Sequence, residues 1–285
     1  MSQPSIFRKA AWKLVWTLGT ICRGGGEVRT SSKLLAKCAP PGTDIVYEGY
    51  LERFAVLINN NRFIDQQVLH TGYEPWMQRV IDACVPTTGA VCMDIGANVG
   101  LISLKLAKRA ETGGTVYAFE PSPAFFKRLK RNLELNPGLE LVIQLFNTGV
   151  SERPGTLFWS EDPTQPGNGM LHSEGETPVP VIAIDDFAEE QRLTRLDFVK
   201  IDVEGMEQAV LKGGMKTWEK FRPVILFETL PETPRVAGYP VWDEIVREFK
   251  ALDYELHAID PHGASYPAPT TALDHNSLLV PLSRR

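Results

Sequence analysis

At 285 residues, with 43% hydrophobic and 23% charged content, the chain suits one generous α/β domain with a full core, or such a domain with an extension. Its four cysteines (Cys22, Cys38, Cys84 and Cys92) form no CxxC pair and no spacing with histidines. That excludes a disulfide framework and argues against a structural zinc. The net charge of -5 conceals a basic start: Arg8, Lys9, Lys13, Arg23, Arg29, Lys33 and Lys37 face only Glu27, and the acidic remainder argues against a nucleic-acid partner.

Residues 5–21 place Ile6, Phe7, Ala10, Ala11, Leu14, Val15, Leu18 and Ile21 at helical spacing. Interrupted by Lys13, the stretch is short of the roughly 20 apolar residues that span a bilayer, and it lacks the features of a secretory signal. Three roles stay open: packing on the domain, homodimerisation, or peripheral contact with a membrane surface. A cytoplasmic protein, peripheral at a membrane in the last case, is expected. Gly24-Gly-Gly26 and Pro40-Pro41-Gly42 punctuate the chain. They set off a basic amphipathic extension over 1–40 and a small cap over 41–89. In the cap, Ile45-Val-Tyr47 and Phe54-Ala-Val-Leu-Ile58 alternate, and Asn59-Asn-Asn61 predicts the turn of a small hairpin; a helix follows over 74–85.

From residue 90 to 285 strands and helices alternate. Val91-Cys-Met93 runs into Asp94, a helix follows over 98–110, and Thr115-Val-Tyr-Ala-Phe119 runs into Glu120. A helix over 122–135 and a strand over 141–146 come next. Further strands lie over 198–201 and 224–227 and near 254–258 and 277–281, with helices over 205–212 and 241–251. This pattern predicts an α/β, Rossmann-like, mainly parallel sheet with helices on both faces. Residues 151–184 break the rhythm with two β-like pieces around a Gly/Pro-rich loop, as an insertion over the sheet's carboxyl edge.

In such sheets ligands bind at strand ends where the topology reverses. Asp94-Ile-Gly-Ala-Asn-Val-Gly100 sits at such a position. Gly96 permits a tight turn and Gly100 a close approach of the helix. Asn98 and Leu101 occupy the second and third glycine positions of a dinucleotide motif, and Asp94 would repel a pyrophosphate. The corner instead suits a cationic or neutral ligand, such as the amino-acid part of S-adenosyl-L-methionine. Glu120, 24 residues beyond Gly96, stands near the spacing at which an acid accepts ribose hydroxyls. Glu74, in Gly72-Tyr-Glu-Pro-Trp76, could reach the methionine portion or cap the following helix.

A second informative stretch is Asp197-Phe-Val-Lys-Ile-Asp-Val-Glu-Gly205. Asp202 ends an apolar strand, Glu204 follows on the same side, and Glu228 ends the next strand. An acid at the end of an apolar strand needs a partner or ligand. Such carboxylates could remove a hydroxyl proton, orient hydroxyls or hold a divalent metal, though no histidine stands at ligand spacing. Asp202 as a helix cap and Glu204 in a surface ion pair are the plainer roles. His275, before the last strand, is a candidate base. Lys200 is expected to reach the surface or an acid; Asp185-Asp186 could cap a helix near 187–192, and His172, in the Gly-rich insertion, could line a lid but is not chosen as a site residue.

These stretches, with Phe119-Glu-Pro-Ser122, Asn147-Thr-Gly-Val-Ser151, Ile184-Asp-Asp186 and Lys200-Ile-Asp-Val-Glu-Gly-Met-Glu207, resemble the FkbM family of S-adenosylmethionine-dependent methyltransferases over about residues 72–282. The resemblance implies a class I methyltransferase sheet of seven strands with the last antiparallel. It implies Glu120 on the ribose and Thr148 with Gly149 by the adenine. Ala97, Pro121, Ser122 and Asp202 complete the expected cofactor site. Residues 1–40 lie outside it. The expected reaction is O-methylation of a hydroxyl on a small molecule (sugar, lipid or secondary metabolite). The alternatives are N-methylation of an amine or peptide, and an NAD- or nucleotide-sugar-dependent Rossmann enzyme, which Asn98 disfavours.

Overall fold

The computed structural model describes residues 29–37, 39, 42–59, 61–110, 113–161, 169–175, 177–229, 242–269 and 276–282. The expected helix over 5–21 and the candidate base His275 lie outside the described residues. No helix among the described residues is long and apolar enough to cross a membrane. The chain divides into two compact units, residues 1–74 with 130–137, and residues 75–129 with 138–285.

In the first unit, β1 (Arg29–Thr30) and α1 (Lys33–Lys37) precede a hairpin of β2 (Asp44–Tyr50) and β3 (Phe54–Asn59), with α2 (Phe63–His70) after it. The hairpin turns at residues 51–53, where Leu51 and Glu52 take φ of 48° and 68°. The asparagines assigned to that turn do something else. Asn59 donates from Nδ2 to Asp44 Oδ1 (2.7 Å), and its main-chain N–H goes to Asp65 Oδ2 (2.8 Å) inside α2. They therefore fix the entry to a helix, which short polar side chains do as readily as they form turns. Asn132 and Asn136 accept the Leu57 and Ala55 N–H groups at 2.8 Å each, which satisfies backbone groups that β3 would otherwise leave open.

The second unit begins with α3 (Pro75–Cys84), β4 (Val91–Ile95), α4 (Leu101–Ala110), β5 (Thr115–Phe119), α5 (Pro123–Glu134, of which residues 130–134 count with the first unit) and β6 (Ile143–Phe146). β7 (Gly149–Val150), β8 (Gly155–Glu161), β9 (Gly169–His172) and β10 (Thr177–Ile182) form a separate four-stranded sheet in the order β7-β10-β8-β9. The insertion thus contributes three strands where two were expected. β10 carries Pro178 and Pro180 on its exposed side, which hides a strand from a propensity reading, while Val179 and Val181 face inward against Leu171.

The chain returns to the main sheet through α6 (Ile184–Glu190), β11 (Phe198–Ile201), α7 (Glu207–Lys212), α8 (Met215–Phe221) and β12 (Val224–Glu228). α9 (Trp242–Ala251), β13 (Tyr254–Ile259), β14 (Ser265–Pro267) and β15 (Asn276–Pro281) close it. The order is β14-β13-β15-β12-β11-β4-β5-β6. β6, β5, β4, β11 and β12 pair in parallel, and β15 lies antiparallel between β12 and β13. β14 adds an eighth strand at one edge, beyond the seven expected. All four residues of β11 are buried, as a central strand covered on two faces requires. Met93, Ile95, Phe119, Val199, Ile201, Ile225 and Phe227 pack with Phe187, Trp218 and Phe249 into one core.

Asp185 does not cap its own helix, whose N-cap is Ala183 without a side-chain bond. Its carboxylate accepts from Thr217 N and Thr217 Oγ1 (both 2.8 Å) and from Lys216 N (3.2 Å), so it serves the first turn of α8. Anionic side chains suit a helix start wherever in sequence they come from.

Candidate active site

The strand order reverses between β4 and β11, which are adjacent and parallel, and their register puts Lys200 opposite Asp94. Alternation then places both side chains on the same face of the sheet. Asp94 is fully enclosed; its Oδ2 accepts from Ser103 Oγ at 2.5 Å, and its Oδ1 lies 3.6 Å from Lys200 Nζ without a hydrogen-bond partner. Burial pushes the Asp94 carboxyl up, against the pull of Lys200 and Ser103. The Lys200 amine, expected at the surface or on an acid, is buried. It donates to Gly96 O at 2.8 Å and sits 3.2 Å from Asp202 Oδ2. Burial opposes its charge, but Asp202 and Asp94 more than offset that and hold it protonated above the ordinary lysine range.

The loop after β4 is built on left-handed backbone. Gly96, Asn98 and Gly100 take φ of 80°, 51° and 87°. A β-carbon on Gly96 would lie 1.8 Å from the main-chain oxygen of Asp202, and one on Gly100 would lie 2.4 Å from Leu129 Cδ1. Asn98 fills the third such position because asparagine is among the few residues that tolerate it. Its N–H donates to Glu120 Oε2 at 2.8 Å, while its buried Oδ1 has no partner. Gly96 and Ala97 donate to Phe119 O, which ties the loop to the end of β5.

Glu120, 3% exposed, also accepts from Ser122 N at 2.8 Å, and burial pushes it up to about 7. Asn147 Nδ2 donates to Glu120 O (2.8 Å) and Pro121 O (3.2 Å) and pins this corner. Asn147 lay within a recognised stretch but carried no expected role. Thr148 Oγ1 donates to Pro180 O at 2.8 Å, and a β-carbon on Gly149 would meet Leu171 Cδ1 at 2.7 Å. Both side-chain positions therefore serve the second sheet. A cavity of ≈ 530 Å³ opens beside the start of α5, lined by Ser122, Ala124, Trp159 and Glu161 among others; Asp202, Glu204 and Glu228 do not line it. The cavity and the acids are thus two separate features of this unit.

Asp202, Glu204 and Glu228 do come together. The Asp202 carboxylate is one-third exposed at the end of β11, and its N–H continues the ladder to Ile95 O at 3.0 Å. Glu204 (φ 55°) is half-buried and pushed up to about 7 by burial, then by Asp202 and Glu207. Glu228 closes β12 and is pushed up to about 9 by burial, then by Asp202, Glu204 and Glu207. Glu207, to which sequence gave no role, is 3% exposed and accepts from Val203 N (3.0 Å) and Gly205 N (3.1 Å to Oε2), holding the turn that presents Glu204. An acid in the first turn of a helix was the one available signal for it. Asp202 does not cap α7, whose N-cap is Met206 without a side-chain bond; it pairs with buried Lys200 instead. Among the described residues no group of three or more His, Cys, Asp or Glu side chains is arranged to hold a metal ion.

Glu74 takes a φ of 44° immediately before α3. His172 is exposed at the end of β9.

A parallel sheet that reverses order at β4 and β11, an antiparallel strand seated between β12 and β13, and a glycine-bearing loop facing a strand-end acid define a class I methyltransferase fold. The methyltransferase FkbM domain matches residues 94–256, more than half of the chain, and the chain belongs to that family of S-adenosylmethionine-dependent methyltransferases. Methyltransferase sdnD of Sordaria araneosa is 32% identical over 195 residues, 56% of this chain and 73% of that protein. Hexuronic acid methyltransferase AglP of Haloferax volcanii is 32% identical over 124 residues, covering 43% of this chain and 49% of its own length. 2-O-methyltransferase NoeI of Sinorhizobium fredii is 26% identical over 168 residues, 51% of this chain and 66% of its own. A crystal structure of methyltransferase FkbM from Methylobacillus flagellatus superposes with a TM-score of 0.45 at 17% identity, over 67% of this chain and 44% of that one.

Proposed function

We propose that the protein methylates a hydroxyl of a small molecule, a sugar, lipid or secondary metabolite, with S-adenosylmethionine as donor. One observation carries the reading: three carboxylates gather where β11 and β12 end, beside the donor loop, and two of them titrate near or above neutrality. The loop suits the donor. Asn98 Oδ1 is a buried acceptor without a partner, Glu120 would accept the ribose hydroxyls, and Asp94, Gly96 and Ser122 would frame the rest. Carboxylates in this number favour a ligand that brings positive charge and hydroxyl donors.

S-adenosylmethionine, when bound, would supply an electrophilic methyl group for in-line displacement by the acceptor oxygen, with the sulfur as leaving group. Glu204, with a value of about 7, takes the proton that the hydroxyl gives up, since a base works best when poised near the working pH. Glu228, at about 9, keeps its proton at neutral pH and can donate a hydrogen bond to the acceptor. Asp202, anchored by Lys200, orients the acceptor. The names of two relatives support the reading, one being a 2-O-methyltransferase and the other a hexuronic acid methyltransferase.

A second reading follows from the same charge surplus: carboxylates from three strands facing one ammonium would also hold an amine acceptor, which would be N-methylated. Incubation with methyl-labelled donor and a cell extract, followed by identification of the product, separates them. Label on an ether oxygen supports the proposal, and label on nitrogen replaces it with the second reading. Binding of NAD in place of S-adenosylmethionine would overturn the donor assignment.

A further inference from the structure

The Lys200 side chain touches the donor loop and the acidic cluster at the same time. Its ammonium has three hydrogens and three oxygens around it: Gly96 O in the donor loop (2.8 Å), Asp202 Oδ2 in the acidic cluster (3.2 Å) and Asp94 Oδ1 beneath the loop (3.6 Å). At 4% exposure the amine is withdrawn from water. A buried lysine is costly unless every partner is in place, and an apolar residue would fill a central parallel strand more cheaply. The contact of the two segments is close: a β-carbon on Gly96 would fall 1.8 Å from Asp202 O, so the loop and the end of β11 touch main chain to main chain.

We infer that Lys200 is a positioning residue that locks the donor loop to the acceptor-side acids and sets the charge those acids carry. The inference rests on the methyltransferase reading of the site. Two effects follow, and they can be separated. Through Gly96 O, Lys200 fixes the carbonyl around which the donor loop turns, so its loss weakens donor binding. Through its charge, it favours the ionised acids around it. The groups facing it are Asp94 from β4, Glu120 after β5, Asp202 and Glu204 after β11, and Glu228 at the end of β12, with Glu207 of α7 facing the same acids. Removing the one cation among them raises the pH at which the base becomes available.

The test uses the full chain with Lys200→Met and Lys200→Arg. S-adenosylmethionine binding is followed by calorimetry. Transfer of labelled methyl to the acceptor fraction that the wild type labels is followed across pH, with a thermal melt as the fold control. Lys200→Met should weaken donor binding by roughly tenfold or more, the scale of a lost charge-assisted bond. It should also move the midpoint of the acid limb up by about one pH unit, as loss of a neighbouring opposite charge does. Lys200→Arg keeps the charge but offers a planar fork in place of a three-way donor, so the midpoint stays and the affinity still falls. A Met variant that melts lower but keeps the wild-type affinity and midpoint would make Lys200 a strand residue only, and the inference falls. Should that variant not fold, the arginine form decides: wild-type donor affinity in it overturns the positioning role. Failure of the wild type itself to bind S-adenosylmethionine would instead remove the donor reading.

Discussion

Gly96→Ala measures how tightly the donor loop is held. The alanine would keep a φ of 80°, which costs an L-residue about 1–2 kcal/mol. Its β-carbon would also start 1.8 Å from the Asp202 carbonyl oxygen, a main-chain atom in the continuation of a fully buried central strand. Overpacking of this kind costs about 1–3 kcal/mol more, because the strand has nowhere to retreat. Gly138→Ala is the matched control: its φ is 95° and nothing lies within 4 Å of the added carbon, so it carries the conformational cost alone. The difference between the two variants isolates the contact. At about 2–4 °C per kcal/mol for a chain near this size, Gly96→Ala should melt roughly 2–12 °C below Gly138→Ala. If the same 1–3 kcal/mol falls on the binding-competent loop, donor affinity drops about 5- to 150-fold by calorimetry, while Gly138→Ala binds as wild type. Equal melting and equal affinity in the two variants would refute the claim that loop and strand end are in contact.

Other outcomes follow from the same geometry. Asp202→Asn should leave S-adenosylmethionine affinity within a few-fold and abolish label transfer, whereas Asp94→Ala should lose binding; equal loss of binding in both would undo the division of roles. Label transfer should rise with pH through about 7 as Glu204 ionises, and Glu204→Gln should lose activity at every pH; a pH-independent wild-type rate would exclude Glu204 as the base. Glu228 is raised in the folded protein, so it contributes stability below the ordinary carboxylate range and loses it as pH rises through about 9. Glu228→Gln cannot ionise, so its melting temperature should gain on the wild type between about pH 4.5 and about pH 9; a constant gap would contradict the crowding of acids there. Asp185→Ala should cost about 1 kcal/mol of stability through the first turn of α8 and leave donor affinity unchanged.

The parts of this protein that sequence alone determined are those whose physics is local. A strand that ends on an acid, a glycine where the chain must turn left-handed, and alternation of strand and helix are written in neighbouring residues. So the 94–100 loop, Glu120, Asp202 with Glu204, Glu228 and the parallel sheet could be read directly. The same locality explains the failures. Asn59 and Asn61 look alike as turn residues and as residues at a helix entry, and only the buried Asp65 decides between them. Pro178 and Pro180 mask a strand whose inward face is defined by β8 and β9. Asp185 finds its partner 32 residues away, at Thr217.

Lys200 is the clearest case. Within its own segment it is one charged residue in an apolar strand, with no sign of whether its amine meets water or an acid. Cross-strand register with β4 places Asp94 opposite it, and the turn at Gly96 brings a carbonyl over it. The raised values of Glu204 and Glu228 have the same origin, since each depends on burial and on acids from other elements. Sequence fixed which residues carry charge. Only the packing of β4, β11 and β12 decided how those charges meet, because electrostatic energy depends on distance and dielectric, and both are set by the fold.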